Sequence, residues 1–238
     1  MFCIQLSRAR LPSNSSDLAH VDYLIGNCVL LIRSCVDDLG VNYDCNLHFD
    51  RHVDAIVSVA RAKVELLFRG FKTRDVMILR RAYVTYIRPT LEYASNVWNP
   101  CANKSIYKLE SAQRYFTKRI PLLANLPYFE RLAFLNLDTL ERRRLKTDLV
   151  SYFKIINGIS IFSSDYFDIC YSANFTRSKS VYLRKSIVGT QTCYHSFFNR
   201  AVDCWNCLPE TLLHCDSLYS FKNHLDKPDL SAHCYVHD

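Results

Sequence analysis

Glycine is scarce in this chain, five in 238 residues. That argues against folds built on Gly-rich turns, and no G-x-G-x-x-G or P-loop pattern is present to cradle a phosphate with bare backbone. G-x-S-x-G and H-E-x-x-H are missing too, which removes an elbow-borne serine nucleophile and a helix-borne zinc pair. Long hydrophobic runs are absent. The longest, Tyr23 to Ile32, is too short to span a bilayer and is broken by Gly26 and Asn27. The first residues, MFCIQLSRARLPS, lack the apolar core of a secretory signal. The eleven cysteines are odd in number and follow no framework spacing. Together these absences predict free thiols in a reducing, intracellular setting and no membrane partner.

What the chain does have is apolar residues and basic charge. At 49% apolar and 22% charged, it can bury a core and is not disordered by composition. The net charge of +7 is unevenly placed. Residues 1–50 carry −3, residues 51–154 carry +11 from 20 Lys/Arg against 9 Asp/Glu, and residues 155–238 carry −1. The middle of the chain is therefore the basic part, and the part suited to an acidic partner.

Periodicity divides the chain in three. Residues 1–49 read as a polar tail and a small β element: Val21 to Ile25 and Cys28 to Ile32 flank Gly26-Asn27, a two-residue hairpin turn. Leu39 to Val41 is a further candidate strand. Residues 50–158 are helical. Val53, Ile56, Val57, Ala60, Val64, Leu67 and Phe68 form one stripe, with Asp50 as N-cap and Gly70 as stop. A second helix runs from about Thr73, with Val76, Leu79, Tyr83 and Tyr86 inward, until Pro89 ends or kinks it. Ile106, Leu109, Ala112, Phe116 and Ile120 mark a third, and Tyr128 to Leu135 a short fourth. A fifth starts at Asp138-x-x-Glu141 and stops at Asn157-Gly158. Residues 159–238 are loop-rich, with a strand near Val181 to Leu183 and short helices at Phe197 to Asn206 and Ser217 to Leu225. The expected fold is mainly α: a helical bundle preceded by a small β-hairpin and followed by a loop-rich mixed segment.

Three groups of residues suggest chemistry. Asp37 and Asp38 are adjacent on the β element, as in a two-metal site, but no further carboxylate at suitable spacing joins them, so a turn or cap role is the simpler reading. Cys204 and Cys207, with His214, Cys215 and His224 nearby, have partial zinc spacing; the second pair is adjacent where a knuckle needs a gap. His48 and His52 read as surface or cap residues. The strongest signal is the basic faces. Lys104, Lys108, Arg114, Lys118 and Arg119 on one helix, and Arg142, Arg143 and Arg144 with Lys146 on another, are placed to meet phosphates, or else to make a solvated helix face.

Several blocks, in order, resemble one family: DLGVNYDCNLHFDRHVDAI, FRGFKTRD, YVTYIRPTLEYASNVWNP, LESAQRYFTKRI and ERLAFLNLDTLERRRLKTDLVSYFKIING, then SFFNRAVDCWNCLPETLL and SLYSFKNHL. They are similar to the region that follows the catalytic palm in reverse transcriptases of jockey-like non-LTR retrotransposons (LINE elements). Arg88, Pro89, Glu92, Tyr93, Trp98 and Pro100 carry the most recognisable block. The resemblance implies that Asp38-Leu39-Gly40-Val41 is the palm-to-thumb joint and not the catalytic Y-x-D-D motif. It implies a thumb-like domain at 50–158 that holds an RNA/DNA duplex. No residue of this chain would be catalytic, and no cofactor would be its own, because Mg²⁺ and the palm aspartates would belong to a palm and fingers region upstream. That region would be a second partner. Duplex contacts fall by this resemblance on Arg69, Lys72, Arg74, Arg80, Arg81, Arg114, Lys118 and Arg119, beside Arg142, Arg143 and Arg144. Arg88 and Glu92, four apart, read as a structural ion pair, and Tyr93 and Trp98 as core anchors. Two readings compete with this one: a non-catalytic relic or interaction module with no nucleic-acid role, and a small zinc protein.

Overall fold

A computed structural model describes residues 2–3, 24–25, 28–29, 31–162, 164–171, 181–186, 191–226, 230–234 and 236. It is mainly helical, with a small β entry. Short strands come first: β1 (Phe2–Cys3), β2 (Leu24–Ile25), β3 (Cys28–Val29), β4 (Leu31–Ile32), β5 (Cys35–Asp38) and β6 (Val41–Asp44). β1 pairs parallel with β4, while β2 pairs antiparallel with β3 and β5 with β6. The expected turn at Gly26-Asn27 and most of the 1–19 tail lie outside the described residues. Leu39 to Val41 is not a strand of its own. Leu39 and Gly40 form the two-residue turn of the β5–β6 hairpin, with φ of 47° and 81°. Both being positive is what a twisted hairpin demands, and glycine meets it without strain.

The helices follow. α1 (Asp50–Gly70) buries Val53, Val57, Ala60, Val64 and Leu67, the stripe that its spacing predicts. Asp50 is its first helical residue and not its cap; the carboxylate accepts the Ser105 hydroxyl at 2.5 Å. α2 (Val76–Ala82) starts at Asp75, which accepts the backbone N–H groups of Met77 and Ile78. Pro89 does not end this helix. The chain winds through a π-helical turn, Tyr83–Ile87, into α3 (Arg88–Glu92), where Pro89 sits in the first turn. Proline has no N–H and its ring crowds the carbonyl four residues back, so a wider turn ahead of it lets the helix continue. The wider turn also shifts the phase: Ile87 is buried, and Tyr86, expected inward, is exposed.

α4 (Ser95–Trp98), α5 (Asn103–Lys118), α6 (Tyr128–Leu135) and α7 (Leu140–Ile156) complete the first part. α1 and α5 lie side by side and run in the same direction. Asp54 meets Lys108, Arg61 donates to Ser111, and Glu65 takes hydrogen bonds from Tyr115 and Arg119. Beyond α7 come β7 (Asp168–Tyr171) and β8 (Val181–Arg184), an antiparallel pair of which only β8 was legible, and the short helices α8 (Gln191–Tyr194), α9 (Phe197–Arg200), α10 (Val202–Asn206), α11 (Glu210–Leu213) and α12 (Leu218–His224).

The core falls into two clusters. One runs from Val41 to Leu140 and the other from Leu149 to Leu230. α7 belongs to both, by its first turn to one and by its second half to the other. In the first cluster, Tyr83 stacks on Phe116 at 4.3 Å. In the second, Phe153 stacks on Phe221 at 4.4 Å, and the Asn206 amide exchanges two hydrogen bonds with the backbone of Leu183.

Candidate nucleic-acid interface

The parallel course of α1 and α5 brings both C-termini to one end. Arg69 lies in the last turn of α1, Lys72 and Arg74 in the connection to α2, and Lys118 at the end of α5; all four are exposed. None of the four makes an ion pair or side-chain hydrogen bond among the described residues. Two acids stand at this end: Asp75, which caps α2 next to Arg74, and Glu65, whose carboxyl is held below the usual range by the Tyr115 hydroxyl and the Arg119 guanidinium, with a smaller pull from Arg69. For Arg69 and Lys118, in the last turns of their helices, the positive charge also offsets the helix dipole. Arg81, on the outer side of α2, is exposed as well.

The remaining basic candidates point inward or are already engaged. Arg80 donates to the carbonyls of Leu135 and Asn136 and so caps the end of α6. The Arg119 side chain bonds Glu65, lies 2.9 Å from the Tyr115 hydroxyl and covers the Phe68 ring. Arg114 lies over the Tyr128 ring at 4.6 Å. Arg142 is 3.7 Å from Asp138. Arg143 grips Glu92 with two nitrogens, while Arg88, four residues before Glu92, stands 3.7 Å from the same carboxylate.

Arg144 is the sharpest departure from the sequence expectation. It is 1% exposed, donates through Nε to Asn99 at 2.8 Å, and leaves both terminal nitrogens buried without a partner. Burial lowers its pKa, against the pull of Glu110, Glu141 and Asp148. The run Arg142-Arg143-Arg144 is thus not one solvated face, because α7 is covered on both sides.

Of the aromatic block, Trp98 is fully buried, packs 5.1 Å from the His52 ring and donates to the Tyr93 carbonyl at 2.6 Å. Tyr93 itself is 58% exposed and is not a core anchor. Its hydroxyl donates to the Leu39 carbonyl at 3.0 Å, and its ring lies against Gly40. Tyr93 thereby pins the hairpin turn to the helices. His52, expected at the surface, is buried; its Nδ1 accepts the Asn42 N–H at 3.3 Å, and burial lowers its pKa.

Sequence reasoning missed a buried polar network. Glu110 accepts from the Tyr128 hydroxyl and the Leu140 N–H, Gln113 links Tyr83, Tyr128 and the Asp138 carbonyl, and burial holds the Glu110 carboxyl above its usual range. It also missed Asp148, 1% exposed, which takes two hydrogen bonds from Arg200 at 2.7 and 2.8 Å. A signal existed. Glu110 and Gln113 stand at helical spacing within the inward stripe of α5, where a polar residue is unexpected.

Among the described residues the geometry does not build a metal centre. Asp37 and Asp38 are exposed on β5, and Asp37 accepts from Asn42 at 2.9 Å. Cys204 faces the core, where burial pushes its thiol up to about 12, while Cys207 faces out. Among the described residues, no three His, Cys, Asp or Glu side chains group to hold an ion. Among the same residues, no helix is long and apolar enough to cross a membrane.

No family model and no solved structure matches the chain. An uncharacterized protein of Caenorhabditis elegans is 29% identical over 132 residues, which cover 54% of this chain and 67% of that protein.

Proposed function

We propose that this chain is a nucleic-acid-holding helical module, the thumb-like and C-terminal region of a retrotransposon-type RNA-directed DNA polymerase. In this reading it grips a template–primer duplex by its phosphates, inside the cell, and does no chemistry itself. The observation that supports it is the gathering of Arg69, Lys72, Arg74 and Lys118 at one end of the α1–α5 pair, exposed and without ion pairs among the described residues. Cations on helix ends and the adjoining connection contact phosphates irrespective of base sequence, which suits a part that must slide along any duplex. Mg²⁺ and the catalytic aspartates would come from a palm and fingers region.

The test is the salt dependence of binding to an RNA–DNA hybrid, read by anisotropy. Replacing the four cations with alanine is expected to flatten the log-affinity against log-salt slope by about 3 to 4. Absence of binding at low salt, or an unchanged slope, overturns the proposal. With Mg²⁺ and a primed RNA template, the purified chain is expected to incorporate no nucleotide.

A second reading, an interaction module with no nucleic-acid role, draws support from Met77 and Ile78 on α2 and Phe134 on the adjoining α6. All three are exposed apolar side chains close to the basic end. Failure of the hybrid to bind would leave this reading standing.

A further inference from the structure

A cleft of about 790 Å³ opens where the two core clusters face each other along α7. Its walls are apolar, with Phe49 and Val97 on one side and Ile155, Phe162 and Phe197 on the other. This volume lies within the range of pockets that enclose a small organic ligand.

Most of the polar groups on the floor of the cleft are already in use. The Asn96 amide donates to the Ser151 hydroxyl at 2.7 Å. Arg200 is held by Asp148 and by the Asn96 carbonyl at 2.9 Å. The one lining carboxylate, Asp50, accepts the Ser105 hydroxyl. What remains uncommitted is Lys154, half-buried, whose ammonium has no hydrogen bond or ion pair among the described residues. His48 and His195 also line the cleft, and Lys154 is its uncommitted cation. A half-buried ammonium beside apolar walls offers an anion a charge-assisted contact, and apolar walls in water favour a ligand that covers them.

We propose that this cleft binds an amphipathic carboxylate: an acyl or aryl body along the apolar walls, with its single anionic head on Lys154. The site is separate from the basic end and does not depend on nucleic-acid binding.

Decanoate and 2-naphthoate serve as acyl and aryl probes, with the matching uncharged alcohols as controls, titrated calorimetrically into the full chain. One carboxylate of at least one type is expected to bind per chain, roughly ten-fold more tightly than its alcohol, since a charge-assisted contact to the ammonium distinguishes them. Which of the two binds more tightly tells an acyl from an aryl ligand. Lys154→Gln is expected to abolish the preference while keeping alcohol binding, which shows that the variant is folded. Val97→Trp, filling the cleft, is expected to abolish both. Cys101 lines the cleft and is exposed, so bound carboxylate should slow its alkylation but not that of Cys207, exposed elsewhere. Equal affinity for carboxylate and alcohol, a preference that survives Lys154→Gln, unprotected Cys101, or no saturable binding overturns the proposal. So does tighter binding of adenosine monophosphate than of either carboxylate.

Discussion

Two arginine-rich regions of this molecule use the same side chain in opposite ways. At the shared end of α1 and α5, Arg69 and Arg74 stand in solvent with Lys72 and Lys118, with no ion pairs among the described residues. Along α7 and its neighbours, Arg143, Arg144 and Arg200 face carboxylates and amides inside the protein. Charge counting cannot tell them apart, since each of these side chains adds one positive charge wherever it lies. Burial and partners do. The first region leaves its charge in solvent, and the second holds helices together.

This contrast can be broken by mutation. The largest effect is expected at Asp148→Ala, which strands Arg200 and removes a counter-charge of Arg144; loss of one member of a buried pair costs about 3 to 5 kcal/mol, read by urea unfolding. A stability loss below 1 kcal/mol would mean that the pair does not join the two clusters. Arg143→Ala comes next. It removes a two-point, partly exposed contact to Glu92, expected to cost about 1 to 2 kcal/mol while leaving the salt slope of any hybrid binding unchanged. The four-cation variant should do the reverse, flattening that slope while altering stability by only about 0.5 kcal/mol per site or less.

The smallest expected effect is a pH dependence. Burial holds the Glu110 carboxyl above its usual range, so the folded chain keeps a proton that the unfolded chain has released. Stability from this group is therefore highest on the acid side and falls as pH climbs from roughly 4, the ordinary glutamate value. Unfolding midpoints measured from acid to neutral pH should decline more steeply in the native chain than in Glu110→Gln. Parallel profiles would remove Glu110 as the cause.

Much of the fold was legible because it rests on apolar periodicity. The stripes of α1 and α5 come from the spacing of Val53 to Leu67 and of Ile106 to Phe116, and both are buried as read. The π turn was not legible. Pro89 announces a disturbance, but whether the helix stops or widens depends on the packing of Ile87 and Leu91 against α1. β7 was missed because it has no alternating pattern and gains its partner only from β8. At the basic end, exposure of Arg69, Lys72, Arg74 and Lys118 follows from their lying off the apolar stripes. The inward turn of Arg144 does not, because it needs the Asn99 amide oxygen as partner, which sits on another element far away in sequence. Tyr93 misled for a related reason: its ring serves a turn fifty-odd residues earlier and not the core.

The parallel pairing of α1 with α5 also governs the order in which the chain can assemble. Their contacts join residues about fifty apart, such as Arg61 with Ser111 and Asp50 with Ser105. A loop of that length must close before these contacts help, whereas α2 and α3 can fold back on α1 at once. On the ribosome, the face of α1 from Val57 to Leu67 is therefore left incompletely covered until residue 118 has emerged. A nascent chain halted just short of that point would be the form most prone to capture by chaperones, and the release of α5 the step that ends it.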